Sequence, residues 1–145
     1  MIRPALVALV ITGFVAGGSA APSDIPADVL EAYLKIHASL AGDTMDGVQA
    51  AAASLVKAGQ ALGPAGTTLA SAAQKVAGAA DLKAARAGFG ELSDALVAWA
   101  GSGTGGKDVR LAYCPMVKKH WLQKGNEIAN PYYGSQMLRC GEFKK

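Results

Sequence analysis

Both cysteines of this 145-residue chain, Cys114 and Cys140, fall in one stretch near its C-terminus, Tyr113 to Glu142 (YCPMVKKHWLQKGNEIANPYYGSQMLRCGE). The same stretch holds Met116, Met137 and His120, and four of the eight aromatic residues outside the first twenty positions. It lies beyond a Gly-rich run, GSGTGG at 101–106, in a tail spanning 107–145. A tail of that length is too small to fold alone without a staple or a metal. It therefore has to close on itself, on the preceding chain, or on both.

Two short sulfur pairs bracket the stretch. Cys114-Pro115-Met116 has i, i+2 spacing, which points both side chains the same way on an extended segment. Pro115 supports that geometry by biasing Cys114 towards extended backbone. Met137-Leu138-Arg139-Cys140 has i, i+3 spacing, which stacks both side chains on one face of a helical turn. Asn130-Pro131 suits an N-cap and first helical position there, and Gly141 suits the position after a helix end. If the chain folds back between the pairs, four sulfurs meet.

Two chemistries fit that meeting. Thiolate and thioether donors are soft and favour Cu(I), with Cys114, Met116, Met137 and Cys140 as ligands and His120 as a weaker fifth. Zinc is disfavoured, since no C-x-x-C is present. The alternative is a Cys114–Cys140 disulfide, closing a loop of about 25 residues worth roughly 3–3.5 kcal/mol. A disulfide sulfur has no thiolate to offer, so the two readings exclude each other at any one moment.

The beginning of the chain reads as a secretory signal over residues 1–20: Arg3, an apolar run from Ala5 to Val15, and Gly18-Ser19-Ala20 before the cut. That apolar run is short for a permanent bilayer span. The expected product is a single exported domain over 21–145, periplasmic or secreted, without stable membrane insertion. From 21 to 106 there are five basic and eight acidic residues; from 107 to 145 there are eight basic and three acidic. No long basic run or basic helix argues for nucleic acid.

Between leader and connector, over about 24–101, the apolar spacing predicts four helices. Val29, Tyr33, Ile36 and Leu40 stripe the first, about 26–41. Val48, Ala52, Leu55, Gly59 and Leu62 stripe the second, about 45–62. Leu69, Ala72, Val76 and Ala79 carry the third, about 68–79. The fourth opens with Asp81 as N-cap and keeps Leu82, Ala85, Phe89, Leu92, Leu96 and Trp99 in heptad register. Short turns between them argue for a mainly α, up-and-down four-helix bundle. A small irregular Cys/Met/aromatic tail would pack on it, with a short helix over 118–124. Val109, Leu111 and Tyr113 alternate as in a strand. His37 reads as a residue at the boundary of the first helix's stripe.

The tail resembles a periplasmic domain found at the C-terminus of copper/silver efflux membrane-fusion adaptors and in small stand-alone exported proteins. The residues that carry the resemblance are Tyr113-Cys114-Pro115-Met116, Trp121-Leu122, Ile128, Asn130-Pro131-Tyr132-Tyr133-Gly134 and Met137-Leu138-Arg139-Cys140-Gly141. It implies a link to copper or a related soft metal, and a periplasmic efflux or metal-handling protein as partner. Because the sequence shows no adaptor barrel or long hairpin, this chain is not expected to bridge a pump to an outer-membrane channel by itself. No paired carboxylates flank the block, and no phosphate loop or dinucleotide fingerprint occurs, so an enzyme is not expected. The expected function is soft-metal binding in efflux or homeostasis, or else a disulfide-stapled interaction module of such a system.

Overall fold

The structure, a computed structural model, describes residues 24–101 and 106–145. The expected leader and most of the connector lie outside the described residues. Four helices come first: α1 (Ala27–Ala41), α2 (Val48–Ala61), α3 (Thr67–Ala77) and α4 (Leu82–Ala100). Three strands follow: β1 (Val109–Cys114), β2 (Lys119–Lys124) and β3 (Glu142–Phe143).

Local chemistry sets the helix limits. Asp28 sits in the first turn of α1, where its charge complements the helix dipole. At the start of α4 the Asp81 carboxylate accepts a 2.8 Å bond from the Ala84 amide, satisfying one of the free N-terminal donors. Gly63–Gly66 forms a 3-10 turn between α2 and α3. The helices pack in sequence, α1 on α2, α2 on α3, α3 on α4, around fully buried Ile36, Leu40, Leu55, Leu69, Phe89 and Leu92. Small residues set the spacing: a Cβ on Gly88 would stand 3.1 Å from the Val76 side chain.

The closing contact of such a ring, α1 on α4, is slight, and the tail fills the seam. Tyr33 of α1 stacks on Phe89 of α4 at 4.9 Å. Phe89 meets Tyr132 at 6.1 Å, and Tyr132 meets Trp121 edge-on at 5.8 Å. Four aromatic rings thus run from the bundle interior into the tail. Burying side chains of this size adds to a core in which Ala and Gly share the buried helix faces with Leu, Ile and Val.

The expected fold class is overturned by the tail, which is an antiparallel sheet in the order β2-β1-β3 beside the helical core. In β1–β2, Val109 pairs with Lys124 and Cys114 with Lys119; in β1–β3, Ala112 pairs with Phe143. The expected helix over 118–124 is β2. Trp121, Leu122 and Gln123 are buried in succession, because the bundle and the loop after β2 cover both faces of the strand. Coverage on both faces erases the alternation that marks a strand in sequence. The expected helix after Asn130 is also absent. Asn130 Oδ1 instead accepts from the Tyr132 amide at 2.8 Å in a local turn, and only Gly134–Gln136 takes a 3-10 form.

The edge of β2 that faces the helices is sealed by hydroxyls. The Leu122 amide donates to Tyr33 Oη at 3.2 Å, and Tyr132 Oη donates to the His120 carbonyl at 2.5 Å. Tyr33 Oη also shares a 2.6 Å bond with Ser93 Oγ. No helix among the described residues is long and apolar enough to cross a membrane.

Candidate functional site

The sheet register brings the two cysteines to one place. β1 ends at Cys114, and β3 pairs Glu142 with Tyr113. One further step of that register sets Cys114 level with Gly141, next to Cys140. Consistent with this, a Cβ on Gly141 would stand 3.0 Å from the Tyr113 carbonyl. Both cysteines are free; Cys114 is fully buried and Cys140 half-buried. Burial pushes the Cys140 thiol above its ordinary range, and the neighbouring Cys114 thiol adds to the rise as a charge and as a hydrogen-bond partner.

A buried polar frame holds the Cys140 end in place. Asn130 is fully buried, and its side-chain amide donates to the Cys140 carbonyl at 2.7 Å. Its backbone amide donates to the Leu138 carbonyl at 2.8 Å. The Cys140 amide closes a tight turn on the Met137 carbonyl at 2.9 Å, so these two residues end a turn rather than share a helical face. Gln123 is buried as well. It accepts from Trp121 Nε1 and the Ala129 amide, and donates to the Glu127 carbonyl at 2.7 Å.

Two residues of the helical core anchor that frame from outside. His37 is buried rather than at a boundary, and its Nε2 meets the Ala129 carbonyl at 2.8 Å. Burial lowers its pKa, so the neutral ring is the form that donates here. Arg86 of α4 donates to the Leu40 carbonyl at 2.9 Å, the Pro131 carbonyl at 3.0 Å and the Asp43 carboxylate at 2.5 Å. Asp43 also accepts from the Ser135 amide at 2.8 Å. Bonds from Ser135 and Arg86 hold its pKa down at about 2. Gly134 passes directly over this carboxylate with φ +56°, and a Cβ there would stand 2.0 Å from Asp43 Oδ1. Only glycine meets both demands.

The other sulfur residues sit differently. Met116 lies on the β1–β2 turn with 61% of its surface exposed, leading outward from Cys114. Met137 is half-buried at the far end of the Cys140 turn. His120 pairs with Tyr113 across the strands, and its ring packs on the Tyr113 ring at 4.8 Å. Alternation along β1 puts that pair on the face opposite Cys114, so His120 is not aimed at the thiols. Among the described residues, no three His, Cys, Asp or Glu side chains converge on a point that holds an ion. Two thiols supplemented by a thioether are a different donor set.

Neither Arg86 nor Asp43 stood out in the sequence. Asp43 follows Gly42 in the α1–α2 turn, where nothing in its sequence neighbourhood points to Arg86 or to the tail. No protein family, curated protein or solved structure matches the chain.

Proposed function

We propose that this protein is an exported soft-cation binder in which Cys114 and Cys140 are the donor pair, with Cu(I) as the favoured ion. The observation that carries the reading is the placement of two free thiols side by side, one buried and one reachable, by elements distant in sequence. Thiolates select soft monovalent copper over hard cations. Met137, three residues before Cys140 and joined to it by a backbone turn, is the thioether assigned to the donor set. Met116, on the exposed turn, serves as an outer contact on the approach. The resemblance of the tail to copper-efflux adaptor domains supports the same assignment. It suggests a periplasmic efflux or metal-handling protein as the partner.

Because the Cys140 thiol is raised, uptake of the ion displaces protons, and affinity rises with pH. Competition between the fully reduced protein and a chromophoric Cu(I) chelator tests the reading. One ion per chain is expected, with affinity falling more than about 100-fold in Cys140→Ala, beyond what loss of an outer-shell contact costs. Equal copper retention by wild type and variant would overturn it.

A further inference from the structure

The two thiols are not equivalent, and their inequality assigns an order of reaction. Cys114 closes β1 with none of its surface exposed. Cys140 stands half-buried in the tight turn before β3, tied through its carbonyl to Asn130 and through its amide to Met137. An external reagent therefore reaches Cys140 first, while Cys114 is reached only from Cys140. The sheet register leaves them one residue from direct cross-strand partners, and the two free thiols lie close enough to share a hydrogen bond.

We infer that the pair is a thiol–disulfide exchange site, with Cys140 as the entry sulfur, Cys114 as the resolving sulfur, and a disulfide-bearing small thiol or carrier protein as the reactant. In the first step Cys140, the thiol that solvent reaches, gives up its proton to solvent and the resulting thiolate attacks one sulfur of the external disulfide RSSR. A Cys140–SR bond forms, and the RS–SR bond breaks to release RS⁻. In the second step the Cys114 thiolate attacks Cys140 Sγ, forming the Cys114–Cys140 bond and expelling the second RS⁻. The two protein thiols are oxidised, RSSR is reduced, and the two protons leave with the two RS⁻ groups as RSH. Exchange proceeds by such a mixed disulfide, and access decides which sulfur starts. This site needs only the geometry of the pair and stands whether or not the chain takes up copper.

The test uses the reduced full mature chain, free of metal, mixed with oxidised glutathione, quenched with an alkylating agent and mapped by mass spectrometry. Wild type is expected to show a transient single adduct at Cys140 followed by the internal disulfide. Cys114→Ala is expected to stop at a stable single adduct at Cys140. Cys140→Ser is expected to react at least 10-fold more slowly until denaturant is added. An early wild-type adduct on Cys114, or an adduct on Cys140 that never resolves, overturns the assignment. The wild-type time course decides even if a variant folds poorly.

Discussion

Replacing Tyr33 by Phe removes one oxygen and leaves the ring stack on Phe89 in place. The oxygen accepts from the Leu122 amide at 3.2 Å and shares a 2.6 Å bond with Ser93 Oγ, all within the interior. An orphaned buried amide costs about 1–3 kcal/mol, and the lost hydroxyl pair about 1 kcal/mol more. The expected loss is thus about 3 kcal/mol. For a domain of this size that corresponds to roughly 12 °C in Tm. Ser93→Ala removes only the second bond and is expected to cost about 1 kcal/mol. Urea unfolding of wild type, both single variants and the double variant gives the comparison. The double variant is expected to lose little beyond Tyr33→Phe, since the two changes share one bond. Amide exchange adds a local readout, with Leu122 losing protection while the centre of α2 keeps its own. A Tyr33→Phe variant within about 0.5 kcal/mol of wild type would refute the claim that this hydroxyl joins sheet to bundle.

Other outcomes follow from the same frame. Gly134→Ala combines the φ +56° penalty with a methyl driven into the Asp43 carboxylate; a loss of about 3 kcal/mol or more of unfolding free energy is expected in denaturant titrations. His37 has a depressed folded pKa, so the unfolded chain takes up its proton first; stability is expected to fall as pH drops below about 6.5, and His37→Gln to flatten that slope in pH-dependent melts. Asp43 is likewise depressed, to about 2, so its contribution is present above the unfolded carboxyl value near 4 and lost between there and 2; Asp43→Asn is expected to remove that acid limb. Asn130→Asp keeps an acceptor for the Tyr132 amide but sets a carboxylate against the Cys140 carbonyl, and is expected to slow internal disulfide closure more than a destabilising change elsewhere with the same Tm.

The helical half was the more legible part in the sequence. Large apolar residues at spacings of three and four, such as Val29, Tyr33, Ile36 and Leu40, leave one solution for the buried face. Asp81 and Gly63-Pro64 mark the boundaries by local chemistry. The tail failed where tertiary contact overrides local pattern. β2 is buried on both faces and shows no alternation, and Asn130-Pro131 carries the signature of a helix start but spends its amide on Cys140. Nearness of Cys114 and Cys140 was open to inference, because a tail this small has to be closed by something. Their unequal exposure was not, since it depends on which strand end the bundle and loop cover.

The central claim, that the tail folds to present its two thiols as one soft-ion site, meets its most direct test in X-ray absorption at the copper edge. The sample is reduced protein loaded with a single equivalent of Cu(I). A first coordination shell of sulfur alone, diminished in Cys140→Ala, is the predicted spectrum. A shell dominated by nitrogen or oxygen, or one unchanged by that substitution, would contradict the account.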